Sequence, residues 1–154
     1  MTTPFDENSV DLAEDLDVDI VKIASCSCGD WPLLERIVKV NKPIVFSTAG
    51  ASFDTIDKIV SFFEHRDKHF AIMHCVGEYP TTPDHLQMHQ ITQLKERYPG
   101  VPVGFSTHED PGNYDAVFVA VGKGAQRFEK HVAIDTKKYP KNAYSAKPED
   151  VKIW

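Results

Sequence analysis

The sequence predicts an α/β fold with a parallel sheet. Apolar segments rich in β-branched residues alternate with segments patterned as amphipathic helices. One such strand-and-helix unit recurs about every 20–30 residues, which is the length of a βα unit. Regular alternation of this kind implies strands that run parallel to one another. The sequence therefore predicts about five βα units in a row.

Two further observations favour part of a TIM (β/α)8 barrel over a flavodoxin-like sheet. No Gly-rich phosphate loop follows the first strand, although a doubly wound nucleotide-binding fold usually has one there. The chain also opens on a turn that leads at once into a helix, as it would after a strand. A complete barrel needs about 250 residues, whereas this chain has 154. We therefore expect residues 1–154 to form a single, partial TIM-barrel domain.

The predicted elements follow from the apolar pattern and from the turn residues between them. The strands are Ile20–Ala24, Ile44–Phe46, Phe70–Met73, Val101–Phe105 and Gln126–Glu129. The helices are Glu7–Leu16, Pro32–Val40, Phe53–His65, Asp84–Tyr98 and Asn113–Gly122. Ser52 is a plausible helix start, and Pro99-Gly100 is a clear helix stop.

The composition excludes several classes of protein. The formal net charge is −6 and no basic run occurs, which argues against nucleic-acid binding. Apolar runs are only a few residues long, far short of a membrane span, and the first residues do not resemble a signal peptide. The three cysteines do not form a redox or zinc motif, and we expect them to be reduced thiols in a cytoplasmic protein.

Polar side chains follow the predicted strands, where ligands of parallel βα proteins gather. These strand ends bring Lys22 together with several hydroxyl groups, among them those of Thr3, Ser25, Ser47, Thr48, Ser106 and Thr107. Hydroxyl groups and one lysine suit a phosphate or carboxylate because they supply hydrogen-bond donors and a positive charge. Each hydroxyl alone has a simpler explanation as a helix cap.

Two histidines also follow predicted strands, His108 after the fourth and His131 in the segment after the fifth. Their side chains could reach the same end of the sheet and bind one divalent ion, with water and substrate oxygens completing its coordination. Either histidine alone could be an ordinary polar loop residue. His65, His69, His85 and His89 fall in predicted helices or at the starts of loops, and we assign them no role.

Taken together, these motifs resemble the sialic acid (nonulosonate) synthases of the NeuB type. The resemblance is carried in the family's order by segments 22–25, 42–48, 74–81, 103–108 and 129–131. It implies barrel strands four to eight, with the first three strands and the C-terminal antifreeze-like domain lacking. It also implies a cytoplasmic transferase of carbohydrate biosynthesis that joins phosphoenolpyruvate to an N-acylated aldehyde sugar.

The resemblance further implies roles for particular residues. The residues that match the phosphoenolpyruvate contacts are Thr3, Lys22, Ser25, Ser47 and Ser106. His108 and His131 match the protein ligands of a divalent metal, Mn²⁺ or Mg²⁺ by preference, and Tyr79 matches a residue that lines the sugar site. Lys22, His108 and His131 are the catalytic candidates. The fragment alone is expected to be inactive, and a homodimer is an option for the full-length enzyme.

The sequence departs from the family mainly on the sugar side. Thr107 stands where the family commonly has Asp before its metal-binding His, and Glu109-Asp110 follows where Thr is usual. Gly77 replaces an Asn or Ser, and the stretch Tyr139–Tyr144 replaces a Gly-Pro-Asp segment that holds a sugar-binding Asp. These departures predict that condensation is retained while the acceptor is not N-acetylmannosamine.

Two alternatives to this function stay open on the sequence alone. One is another metal-dependent barrel aldolase or a 3-deoxy-sugar-acid synthase. The other is a non-catalytic fragment that keeps the site as a relic. Retention of both kinds of ligand residue, Lys22 with His108 and His131, argues against the relic.

Overall fold

The structure is a computed structural model that describes residues 1–154. Its strands are β1 Val21–Ile23, β2 Ile44–Ser47, β3 Phe70–Cys75, β4 Val103–Thr107 and β5 Arg127–Lys130. Its helices are α1 Glu7–Asp15, α2 Trp31–Ile37, α3 Phe53–Glu64, α4 His89–Arg97, α5 Asp115–Gly122 and α6 Pro148–Ile153. The strand order is that of the chain, and the register is parallel for the pairs β1–β2, β2–β3 and β4–β5. The predicted α/β fold with five parallel strands is confirmed.

One predicted helix differs from the structure, and one helix was not predicted. The helix predicted over Asp84–Tyr98 is a 3₁₀ turn, Pro83–His85, followed by the separate helix α4. Gln87 lies between them with φ at 49°, which a right-handed helix cannot contain. Helix α6 was not predicted, although Pro148 at its first position and Asp150, which accepts the Lys147 N–H at 2.7 Å, are ordinary helix-start signals.

The chain divides into two compact units, residues 1–73 and 74–154. In the first unit, Lys22 pairs with Val45, and Ser47 lies two residues further along β2. Because side chains alternate along a strand, Lys22 and Ser47 share one face of the sheet. The opposite face is apolar: Phe46 contacts Phe63 of α3, with ring centroids 5.9 Å apart. The hydrophobic core of this unit therefore lies on the face away from Lys22.

Helices of the first unit begin at side chains that accept backbone N–H groups. Asp6 accepts from Ser9 at 2.7 Å, Asp30 from Leu33 at 3.2 Å, and Ser52 from Thr55 at 3.2 Å. An acceptor at this position satisfies one of the N–H groups that the first helical turn leaves unpaired. The start predicted at Ser52 is thus confirmed.

In the second unit, β4 and β5 pair so that Ser106 lies opposite Glu129 and Thr107 opposite Lys130. Alternation places Ser106 and Glu129 on one face and Thr107 and Lys130 on the other. Phe105, on the face of Thr107, stacks on His74 with ring centroids 5.9 Å apart. This register determines which polar groups each face of the second unit presents.

Candidate functional site

In the first unit, Ser47 is the residue whose side chain most clearly needs a hydrogen-bond partner. It ends β2, is 2% exposed, and its Oγ has no hydrogen-bond partner. A buried hydroxyl without a partner costs free energy unless a bound group or an ordered water satisfies it. Lys22, on the same sheet face, is half-buried. The two residues bring a cation and an unused hydroxyl to one polar face.

The other predicted anion contacts of this unit are Thr3 and Ser25. Thr2 forms a parallel bridge with Val21, and its carbonyl accepts the Lys22 N–H at 2.8 Å, so Thr3 follows directly on a strand-like pairing beside β1. Ser25 begins a 3₁₀ turn just after β1, and its Oγ accepts the Ala49 N–H at 3.0 Å. The hydroxyl hydrogen of Ser25 is still available for a ligand.

A cluster of four aromatic rings forms the corresponding feature of the second unit. His108 and His131 lie with ring centroids 5.1 Å apart, and Tyr79 lies 4.1 Å from His108. Tyr144 lies 5.2 Å from His131 and 5.3 Å from Tyr79. The structure thus brings together the two histidines and the tyrosine that sequence reasoning selected, and adds Tyr144.

The hydrogen bond of His108 determines which of its nitrogens is free. Its Nδ1 lies 3.0 Å from the carbonyl oxygen of Val76. A carbonyl only accepts, so Nδ1 carries the proton and Nε2 keeps its lone pair. Burial, with smaller contributions from His131 and from the charge of Lys130, lowers the pKa of His108. The hydrogen bond to Val76 opposes this shift, but burial outweighs it and favours the neutral imidazole, the form that binds metal ions.

The donor set fits a divalent ion. Two imidazole nitrogens that share an ion at about 2.0–2.1 Å each bring their ring centres within about 6.5 Å of one another, and the observed separation is 5.1 Å. No group of three or more His, Cys, Asp and Glu side chains is arranged to hold a metal ion. His108 and His131 would accordingly hold the ion with help from water or substrate oxygens.

Ser106 differs from the other predicted anion contacts. Its hydroxyl donates to Glu129 Oε1 at 2.8 Å, across the β4–β5 pairing. Ser106 can therefore accept a hydrogen bond as it stands, but can donate to a ligand only if its bond to Glu129 is given up. Sequence reasoning selected Ser106 but gave no role to Glu129.

Tyr144 is the site residue that sequence reasoning missed. Asn142 Oδ1 accepts the N–H groups of Tyr144 and Ser145, at 3.2 and 2.8 Å, which shapes the turn before the ring. Directly after it, Ala146 donates to the His131 carbonyl at 2.8 Å. The turn and the bridge together carry the Tyr144 ring to the histidines. The Asn two residues before a Tyr was a turn signal, but the bridge to His131 had no local signal.

Five parallel strands in chain order, with polar groups at their ends, are typical of an α/β fold of the TIM-barrel kind. The NeuB family model matches residues 1–153. The chain belongs to the NeuB family.

Known proteins of this family resemble the chain along nearly its whole length. It is 32% identical to the N-acetylneuraminate-9-phosphate synthase of Drosophila melanogaster, over 96% of this chain and 40% of that protein. A provisionally named spore coat polysaccharide biosynthesis protein E from Chromobacterium violaceum has 56% identity and a TM-score of 0.96, covering 99% of this chain and 45% of that one.

A sialic acid synthetase from Leptospira borgpetersenii, solved with citrate, has 31% identity and a TM-score of 0.89, and the match covers 97% of this chain and 52% of that one. The chain thus spans about half the length of these relatives or less. In this chain, no helix has the length and apolar character that crossing a membrane requires.

Proposed function

We propose that this chain is part of an enzyme that condenses phosphoenolpyruvate with the aldehyde of an N-acylated sugar, giving a sialic-acid-like nonulosonate. The observation that carries the proposal is the pair of imidazoles, His108 and His131, 5.1 Å apart beside two tyrosines in a chain of the NeuB family. The five strands correspond, in this proposal, to strands four to eight of the family's barrel.

Phosphoenolpyruvate is assigned to the polar residues at and beside the strand ends, namely Thr3, Lys22, Ser25, Ser47 and Ser106. Lys22 supplies the positive charge, and a charge-assisted hydrogen bond to phosphate or carboxylate contributes about 1.5–3 kcal/mol. The unpartnered Ser47 Oγ supports the assignment, because a ligand oxygen would satisfy it. These contacts would hold the anion while its vinyl carbon is left free to react.

The metal and the sugar are assigned to the ring cluster. His108, through its free Nε2, and His131 would hold a divalent ion, and that ion would supply Lewis-acid polarisation of the aldehyde oxygen. Tyr79, which is 56% exposed, and Tyr144 would border the sugar and orient it. Aromatic rings exclude water on one side and leave the phenol oxygens for hydrogen bonds.

The overall reaction balances without an oxidant or reductant. The vinyl carbon of phosphoenolpyruvate forms a bond to the aldehyde carbon, whose oxygen takes up a proton. Water adds to the former enol carbon, and phosphate leaves with cleavage of its C–O bond. The carboxylate of Glu129, which accepts from Ser106 at 2.8 Å, is the nearest acidic group to that hydroxyl across the β4–β5 pairing and could take or return a proton there.

Phosphate release tests this proposal. The full-length protein is incubated with phosphoenolpyruvate, Mn²⁺ and a panel of aldoses. We expect release with N-acylated hexosamines, some of them phosphorylated, and a product whose mass is the sum expected for condensation. Release with aldoses that lack the acylamino group would instead indicate a 3-deoxy-sugar-acid synthase, and no release with any aldose would contradict catalysis.

A further inference from the structure

A buried ion pair lies beside the two histidines in the sequence. Lys130 Nζ is 3.1 Å from Glu109 Oε1, and the two side chains are 3% and 1% exposed. Lys130 also donates to the backbone carbonyl of Glu109 at 2.7 Å. No side chain other than Lys130 contacts the carboxylate oxygens of Glu109 as a donor, so the charge of Lys130 is the carboxylate's main compensation. The pair joins the segment after β4 to the end of β5.

Each member of the pair is the chain neighbour of one histidine. Glu109 follows His108 directly, and Lys130 precedes His131 directly. The lysine ammonium, through its contacts with the carbonyl and the carboxylate of Glu109, therefore links the backbone beside one imidazole to the backbone beside the other. The contact between Lys130 and Glu109 lies just beyond the β4–β5 pairing, in which Thr107 is opposite Lys130.

Burial makes this contact hard to replace. A charge removed from water is tolerated only when an opposite charge and hydrogen bonds compensate it, and removal of one partner leaves the other uncompensated. Burial raises the pKa of Glu109, while the ammonium of Lys130 opposes that shift. An exposed ion pair of the same length would lack this constraint, because solvent competes for both groups.

We propose that Glu109 and Lys130 are positioning residues that hold His108 and His131 at the separation needed to share one divalent ion. Glu109 also neutralises a cation that would otherwise repel the metal from the neighbouring imidazoles. This inference rests on the proposed function, of which it deepens the metal site. Glu109 and Lys130 touch neither substrate nor metal in this account.

The test compares metal affinity with folding stability. Glu109→Gln combined with Lys130→Met removes both charges, keeps the volume and leaves no buried charge unpaired. Co²⁺ is titrated into the 154-residue chain, parent and variant, and followed by its visible absorption, while urea unfolding is measured in parallel. We expect the urea midpoint to stay close to that of the parent and the Co²⁺ affinity to fall at least about tenfold, the lower end for outer-shell changes.

A matched control comes from the exposed pair of Asp135 and Lys147, also 3.1 Å apart but with side chains 48% and 46% exposed. Asp135→Asn with Lys147→Met should leave Co²⁺ affinity unchanged. A rescue variant, Thr107→Asp with Glu109→Thr, moves the carboxylate to the residue that pairs with Lys130 across the strands. It should recover affinity to within about threefold of the parent, since side chains directly opposite one another on paired strands lie close enough to interact.

The outcomes separate the inference from the function it rests on. A parent chain that binds Co²⁺, with a folded charge-free variant that binds it equally well, would overturn the positioning role alone. A parent chain that binds no Co²⁺ would overturn the metal site itself and the inference with it. If the charge-free variant does not fold, Glu109→Asp decides: it keeps the charge but shortens the reach, and parental affinity there would likewise overturn the role.

Discussion

Lys22 and Ser47 are the residues on which the proposed phosphoenolpyruvate site depends most directly. They share a sheet face on the side opposite the apolar core of the first unit, and Ser47 Oγ has no partner there. A cation beside such a hydroxyl is suited to an anion because a charged hydrogen bond is stronger than a neutral one. Binding strength should accordingly depend on the lysine more than on any single hydroxyl.

Replacing Lys22 by Met tests this directly. The change removes the charge but keeps an unbranched side chain, so phosphoenolpyruvate affinity should fall at least about tenfold, the equivalent of one charged hydrogen bond. Isothermal titration of the protein from the complete reading frame measures the dissociation constant. Lys39→Met, at an exposed residue of the same unit, is the control and should bind as the parent does. Equal affinity in the Lys22 variant would remove this residue from the site.

Tyr144 is expected to act on the sugar alone. Its ring lies against His131 and Tyr79, and an aromatic contact of this kind contributes about 0.5–1.5 kcal/mol. Tyr144→Ala should raise the KM for the acylated sugar about three- to tenfold and leave the KM for phosphoenolpyruvate unchanged. Phe118→Ala, at an aromatic residue of α5 that is 69% exposed, should change neither constant. A parallel rise in both KM values would show that Tyr144 does not discriminate between the substrates.

The sequence predicted the histidines of the site but neither Tyr144 nor the Glu109–Lys130 pair. His108 and His131 could be selected because a residue that follows a strand has a predictable position. Tyr144 reaches the site through a bridge between Ala146 and the segment after His131, and such a pairing has no local pattern. The ion pair could not be predicted for a similar reason: Glu109 and Lys130 are 21 residues apart in the sequence, so no local pattern indicates their contact.

At the scale of secondary structure, the candidate site residues lie in and just after the strands, and apolar residues of the same strands form the core. The βα alternation predicted all five strands. In β1 to β4 the local signal is an apolar run between turn residues, whereas β5 contains only one apolar residue, Phe128. The break in the fourth helix was not predicted, since a positive φ at Gln87 depends on how the loop packs and not on Gln itself.

Strand β3 also contains a buried titratable group, His74. Its side chain is inaccessible to solvent, Nε2 donates to the Leu86 carbonyl at 2.8 Å, and Nδ1 has no partner. Burial lowers the pKa of His74 below the ordinary value of 6.5. The folded chain thus keeps His74 neutral at pH values where the unfolded chain protonates it. Stability from the neutral form is complete above about pH 6.5 and is lost as the pH falls towards the lowered pKa.

His74→Gln should make stability less dependent on pH. Glutamine can still donate to the Leu86 carbonyl but does not titrate, so the fall in unfolding free energy between about pH 6.5 and 5 should be smaller by up to about 1 kcal/mol per pH unit. Urea unfolding of the 154-residue chain at several pH values measures it. His69→Gln, at an exposed residue, should keep the parental dependence. Identical curves for His74→Gln and the parent would contradict a neutral, buried His74.

At the scale of the whole molecule, the chain belongs to the NeuB family and spans about half of its relatives or less. The family was predictable because several strand-end motifs occur in one order, which chance rarely produces. Which sugar the proposed enzyme would accept was not predictable, because the residues that would contact it lie in the segments where this chain departs from the family, around Gly77 and Tyr139–Tyr144.

The fate of one oxygen atom tests the central claim most directly. Phosphoenolpyruvate labelled with ¹⁸O in the oxygen that bridges carbon and phosphorus is given to the protein from the complete reading frame, with Mn²⁺ and an N-acylated hexosamine. Our account predicts that the label leaves in inorganic phosphate, that release requires the sugar, and that the new keto oxygen comes from water. Label retained on the carbon product, or phosphate released equally well without the sugar, would contradict a condensing enzyme.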